Sequence, residues 1–386
     1  MEKKDVFYLA GYDPRSYRYY YVLLKRNLYK QNSLNGLNLD ISPCSQKDTI
    51  PYCVISGEQS QVYYHFLQWD NIVKKYWAKN LLDFLLDFTY FLQKYIFSGI
   101  FRVFAKESKT QLIAGLYPIL YFCLSYAISL IGIFYLFKTI ESWNLVVAIL
   151  CIVLCLWGVT KIILYVGQKF AVFWLSNIYA FCAKYATGKI VESRAIISEF
   201  SQAVLKALQE NQKTKNYELI LCAHSVGTIL AMSVAAKVVR IANEQKLDLS
   251  CFKILTLGQC IPLVSFQKSC EEFKADLKTL GNEPLVWFDF TSKIDGACFP
   301  LLDFFRSSGI EARFKPKFLS PRFHQLFTPQ TYKKIRYNWY LAHFLYLYAN
   351  EILGQYDFFN FIGGKNTLES KIGADNGTMS VLSKTA

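Results

Sequence analysis

Leu219-Ile220-Leu221-Cys222-Ala223-His224-Ser225-Val226-Gly227-Thr228 reads as a buried strand that runs straight into a helix, with a serine at the bend. Small residues stand two places before the serine (Ala223) and two places after it (Gly227). So tight a bend leaves no room for bulk at those places, and it holds the serine strained with its hydroxyl outward. The helix N-terminus behind it favours developing negative charge, and the Val226 N–H can donate to an oxyanion. The bland alternative is a serine that caps a helix and does no chemistry.

Outward from this bend the pattern repeats. Strands are expected at 218–223, 252–257 and 285–290, and helices at 190–208, 226–245 and 266–280. Strands alternating with amphipathic helices imply a mostly parallel sheet covered on both faces, an α/β fold. Near the start, Val6 to Gly11 reads as a buried strand ending at a glycine, and Tyr17 to Leu28 as a helix. Short strands are expected around 37–41, 52–56 and 62–67, between Asn, Ser, Pro and Gly punctuation.

Composition adds a second theme. Of 386 residues, 53% are hydrophobic, 17% aromatic and only 19% charged, with a net charge of +14. That is too apolar for a disordered chain and for a fully water-soluble one. Leu112 to Phe137 carries no charge over 26 residues, and Ser142 to Thr160 none over 19. Each is long enough to cross a bilayer, with Lys138 to Glu141 as the turn between them. Arg102, Lys106 and Lys109 precede this hairpin and Lys161, Lys169, Lys184 and Lys189 follow it, so the charge bias puts both flanks in the cytoplasm. From Trp69 to Phe104 an oily helical pattern carries a narrow polar stripe of Asp83, Asp87 and Lys94, as in a helix lying at a membrane surface. Phe170 to Ala183 is apolar but too short to span, and is expected at the interface or against the hairpin. The 11 cysteines form no CxxC pair and read as small buried hydrophobes in a reducing compartment. The four histidines have no metal-ligand spacing. No nucleic-acid-binding motif accounts for the basic excess.

The strand, the Ala223-His224-Ser225-Val226-Gly227 bend and the helix together resemble the α/β-hydrolase superfamily, whose motif is G-x-S-x-G; here Ala223 replaces the first glycine. The resemblance implies a Ser-His-Asp triad in the chain order nucleophile, acid, base. Ser225 would be the nucleophile. His343, within Asn338-Trp339-Tyr340-Leu341-Ala342-His343 near the end of the folded part, is the preferred base, with His324 the alternative. His224 would point to the other side of the strand and be packed or hydrogen-bonded. Asp295, in a turn with Gly296 past the strand at 285–290, is the preferred acid, and Asp303 and Asp289 remain alternatives. The oxyanion donors would be the N–H groups of Val226 and Tyr12, the latter in Ala10-Gly11-Tyr12, where Gly11 allows close backbone approach. The superfamily's histidine before that glycine is missing.

The expected organisation is therefore an α/β-hydrolase-like sheet interrupted by a transmembrane hairpin. Residues 1–70 would supply the first strands and the oxyanion loop, and 71–189 interfacial helices and spans at about 112–137 and 142–160. Residues 190–360 would complete the hydrolase domain, and 364–386 form a disordered tail. The expected function is a membrane-bound serine hydrolase, an esterase or lipase, that cleaves an acyl ester of a lipid through an acyl-enzyme without cofactor or metal. Its partners would be that substrate and the bilayer, with no nucleic acid, and the sequence leaves the oligomeric state open. It would sit in the cell's inner membrane as a multi-pass protein with the domain in the cytoplasm. An acyltransferase using the same triad and a catalytically silent membrane scaffold remain as alternatives.

Overall fold

A computed structural model describes residues 2–45, 50–140 and 145–373. The chain begins with strand β1 (Glu2–Leu9), helix α1 (Tyr17–Asn35) and strands β2 (Asp40–Ile41), β3 (Tyr52–Ser56) and β4 (Ser60–Leu67). Helices α2 (Asp70–Tyr76), α3 (Leu81–Phe91), α4 (Ile100–Glu107), α5 (Lys109–Ile140), α6 (Leu145–Lys169), α7 (Val172–Ala186) and α8 (Glu192–Asn211) follow without a strand among them. The alternating part comprises β5 (Tyr217–His224), α9 (Gly227–Glu244), β6 (Phe252–Leu257), α10 (Pro262–Ser265), α11 (Glu271–Gly281), β7 (Val286–Phe290), α12 (Phe304–Ser307) and β8 (Lys317–Leu319). Five short helices end the described chain: α13 (Phe323–Leu326), α14 (Pro329–Ile335), α15 (Trp339–Phe344), α16 (Phe358–Gly363) and α17 (Leu368–Gly373).

The expected α/β class holds. Eight strands form one mixed sheet in the order β2-β3-β4-β1-β5-β6-β7-β8. Strands β4, β1, β5, β6, β7 and β8 run parallel, and β3 is antiparallel to both β2 and β4. Along β5, Leu219, Leu221 and Ala223 face one hydrophobic core while Ile220 and Cys222 face the other. A strand buried on both faces has no polar alternation, which is why its sequence is a continuous apolar run. Strand β8, only three residues long, was not anticipated.

Helices α5 and α6 are long and apolar enough to cross a membrane. Helix α5 contains Lys138, Thr139 and Ile140, so those residues extend the first rod rather than turn it; the remaining part of the expected turn, Glu141, and the start of the second segment lie outside the described residues. The second rod runs on to Lys169. Burial is confined mainly to the base of the pair, at Gln111, Ala114, Gly115 and Pro118 of α5 and Ile163 and Gly167 of α6. Helix α7 runs beneath this base and packs on α3, α5 and α6, with Ile178, Tyr179 and Phe181 in the core.

Two expectations need correction. The polar stripe of α3 does not all face outward: Asp87 is 8% exposed and pairs with Lys184 of α7, while Leu82, Leu85 and Leu86 are 49% or more exposed. A carboxylate with a lysine partner on the neighbouring helix is better placed inward, which turns the leucines out. The expected disordered tail also starts too early. Leu368 and Ile372 of α17 are buried, and Glu369 pairs with Lys253 of β6. That pair belongs to a buried cluster at the start of the central strands. Glu218 accepts from both Lys4 and Lys253 at 2.7 Å, and from the Leu368 N–H at 2.7 Å. Polar composition misled here because the tail's polar groups answer buried charges.

Candidate functional site

Ser225 directly follows β5 with φ of 57°, in the left-handed region that a non-glycine residue adopts only under constraint. The constraint is visible on all sides. The Ser225 N–H donates to Leu257 O at 2.9 Å, and the Ser225 O accepts from the Thr228 N–H at 3.0 Å and the Thr228 hydroxyl at 2.6 Å. Gly227 sits where any side chain would collide: a Cβ there would lie 2.3 Å from Ala10 O and 2.8 Å from Leu9 O. Ala223 is fully buried between β1 and β6. The small residue at plus two is therefore required by the backbone of β1 and its loop.

The loop after β1 closes over the serine. A Cβ on Gly11 would lie 2.8 Å from Ser225 Cβ and 3.1 Å from its Oγ, so only glycine lets the chain pass there. Two indoles clamp this loop: Trp69 donates to Ala10 O at 2.8 Å, and Trp174 to Tyr12 O at 3.3 Å. The Tyr12 ring is buried, stacked on Trp77 with centroids 5.4 Å apart, and its hydroxyl donates to Tyr76 O. The main-chain N–H groups of Tyr12 and Val226 take part in none of the turn, loop or cap hydrogen bonds among the described residues.

His343, near the end of α15, lies 1% exposed, and its Nδ1 is 2.8 Å from Asp295 Oδ1. A carboxylate only accepts, so Nδ1 carries the proton and Nε2 presents a lone pair. Nε2 is buried without a partner among the described residues. Asp295 is itself fully buried in the turn after β7 and accepts two further hydrogen bonds, from the Ala297 N–H at 2.9 Å on Oδ1 and from the Tyr346 hydroxyl at 3.0 Å on Oδ2, with the Cys298 thiol close by. Burial alone would push its carboxyl up. The His343 imidazole, the Ala297 N–H and Cys298 outweigh that and hold it below the ordinary carboxylate range.

Ser225 and His343 line one cleft of ≈ 330 Å³. Its walls include Gly11 and Tyr12 from the β1 loop, Lys169, Ala171 and Trp174 from the α6–α7 junction, and Tyr340 from α15. Among the described residues, Ser225 Oγ contacts Cys260 Sγ at 3.8 Å, and no hydrogen bond joins it to His343 Nε2. Such bonds commonly tighten only when substrate arrives.

The structure separates the alternatives. Asp289 is buried within β7, accepting from Thr256 at 2.6 Å, and burial raises its carboxyl to about 8. Asp303 caps α12 through the Arg306 N–H and pairs with Lys315. His324 is exposed and lines a different cavity with Ser292 and Tyr332. His224 is buried and hydrogen-bonded as expected, and its ring packs on Phe344 and Tyr346 in the core that Ile220 and Cys222 face, while the residue also borders the cleft. Its Nε2 donates to the main-chain O of His343 at 2.8 Å, and the two rings lie 4.7 Å apart. Burial, together with His343, pulls its pKa down to about 3, so it stays neutral beside the other imidazole.

Several neighbours escaped the sequence reading. Cys260, Tyr346 and Cys298 carry no local signal; only Tyr346's position three residues after His343 hinted at a shared helical face. Arg15 pairs with Asp13 and reaches the Tyr340 hydroxyl at 2.7 Å, tying the β1 loop to α15. Compared with known proteins, the chain matches no family, no curated protein and no solved structure.

Proposed function

We propose that the chain is a membrane-anchored serine hydrolase with an α/β-hydrolase-like fold, cleaving an acyl ester of a lipid or similarly lipophilic substrate. The observation that carries the reading is a strained serine sharing a cleft with an imidazole whose far nitrogen is held by a buried carboxylate. In the proposed mechanism His343 Nε2 takes the Ser225 proton as Oγ attacks the acyl carbonyl. Asp295 fixes the tautomer and steadies the imidazolium that forms. The N–H groups of Val226 and Tyr12 hold the oxyanion. Collapse expels the alcohol, which leaves with the proton from His343. Water, deprotonated by the same nitrogen, then releases the acid and restores Ser225.

Support for the membrane comes from magnitude. Nine large hydrophobic side chains on α5 and ten on α6 stand exposed. At roughly 1.5–3 kcal/mol each, leaving them in water costs on the order of 30 kcal/mol, above the whole net stability of an ordinary domain. A bilayer removes that cost. The basic flanks favour the cytoplasmic leaflet of the cell's inner membrane, with the domain on that side. The α6–α7 junction forms part of the cleft wall, so an acyl chain leaving the leaflet has a short path to Ser225.

The test is a fluorophosphonate probe on purified full-length protein, with Ser225→Ala as control. Labelling that disappears in the variant supports the nucleophile; no labelling of the folded wild type rejects it. Micellar or bilayer acyl esters should be cleaved faster than short soluble ones, and a reversed preference would reject the lipid assignment.

A further inference from the structure

From Ala312 to Asn350 the chain has 39 residues with seven Lys or Arg and no Asp or Glu. Three of these have a local occupation: Lys315 pairs with Asp303, Lys317 lies over Phe288 and Arg313 over Phe314. The run Lys333-Lys334-Ile335-Arg336-Tyr337-Asn338-Trp339-Tyr340 is different. Every residue in it except Ile335 is exposed, and no ion pair among the described residues engages Lys333, Lys334 or Arg336. Tyr337, Trp339 and Tyr340 are 70%, 39% and 43% exposed, and the Arg336 guanidinium lies 4.5 Å from the Tyr337 ring centre. The buried Ile335 and the Asn338 cap of α15 hold the run against the domain. Its place is also fixed relative to the hairpin, because Trp339 packs edge-on against Tyr117 of α5 at 6.0 Å.

Unpaired cations interleaved with half-exposed rings suit a headgroup layer, where ammonium and guanidinium groups meet phosphates and rings sit half wet. Resting on the reading of α5 and α6 as spans, we propose that residues 333–340 dock on anionic phospholipid headgroups of the leaflet that receives the base of the hairpin. The surface is continuous with the hairpin through Trp339 and with the cleft through Tyr340, and α15 goes on to carry His343. Docking therefore sets the cleft mouth at the lipid surface. It also makes the geometry of the base-bearing helix sensitive to the charge of the membrane.

Hydrogen exchange of the full chain in lipid nanodiscs tests this without any substrate. Peptides covering 333–340 should exchange roughly ten-fold more slowly in discs with about a third phosphatidylglycerol than in pure phosphatidylcholine. High salt and the variant K333E/K334E/R336E should each remove the slowing, while β5 peptides stay protected. Equal exchange in both lipids overturns the proposal, as does slowing that ignores salt. Slowing by RNA in phosphatidylcholine discs would assign the surface to nucleic acid instead. Fast exchange across 112–137 in every disc would remove the spanning reading, and this proposal with it. Loss of probe labelling at Ser225 would leave the docking result intact.

Discussion

Gly227→Ala isolates the contact between the serine bend and the loop above it. The added Cβ would sit 2.3 Å from Ala10 O and 2.8 Å from Leu9 O. Carbon and oxygen need about 3.3 Å, so β1 and its loop must move off by about 1 Å. They cannot yield cheaply, because Leu9 pairs with both Leu67 and Ala223 and Ala10 O is bonded to Trp69. Overpacking of this kind costs about 1–3 kcal/mol, or roughly 2–10 °C in Tm for a domain of this size. On the proposed mechanism, a 1 Å shift also carries the Tyr12 N–H out of the narrow window for holding an oxyanion. Loss of one such donor lowers turnover by about 10²–10³-fold. The assays are thermal unfolding in detergent, the second-order rate of fluorophosphonate labelling, and kcat/KM on a medium-chain p-nitrophenyl ester. A variant with wild-type Tm and wild-type rates would refute the packing argument. A lowered Tm with full rates would remove Tyr12 from the oxyanion site and leave the packing argument standing.

Asp295→Asn should lower ester cleavage by about 10⁴-fold with little change in KM, since the amide no longer fixes the His343 tautomer; a loss below ten-fold in kcat would sink that role. Glu218→Gln leaves Lys4 and Lys253 buried without their shared carboxylate, and should destabilise by about 3–5 kcal/mol in chemical denaturation. Burial would raise the Glu218 carboxyl, but the two lysines hold it below the ordinary range. Its contribution is thus present above the unfolded pKa and lost as pH falls through the lower folded one, so acid should destabilise wild type more than E218Q. Asp289 has the opposite sign: burial raises it to about 8, so the fold loses about 1.4 kcal/mol per pH unit between the unfolded pKa and pH 8. Asp289→Asn should abolish that slope, and a pH-stability curve parallel to wild type would show Asp289 to be ionised at neutral pH.

What could be read from sequence followed what is local. The bend at Ser225 was legible because steric demands fall on residues two places away in the chain. Strand β5 and its neighbours were legible because double-sided burial writes a continuous apolar run. The two rods were legible from length and hydropathy alone. Distance in sequence hid the rest. Nothing near Asp295 announced that Tyr346 would share its carboxylate, and nothing in the polar end of the chain announced that Glu369 would answer Lys253. His224 was legible in direction because it still belongs to β5, and its ring packs with Phe344 and Tyr346 on the side that Cys222 faces. The inward turn of Asp87 depended on a lysine 97 positions away.

The strand made first, β1, lies at the centre of the sheet, and Lys3 pairs with Tyr217, 214 positions later. During synthesis β1 can find β4 at once, but its other edge stays open until both long rods have left the ribosome. Both rods are thus made before the domain can be completed, and hydrogen bonds spanning so many residues close slowly. A chain halted before β5 would show a raw strand edge, which is a target for aggregation and for proteolysis. Defects in the two rods should therefore surface first as loss of the protein from the cell.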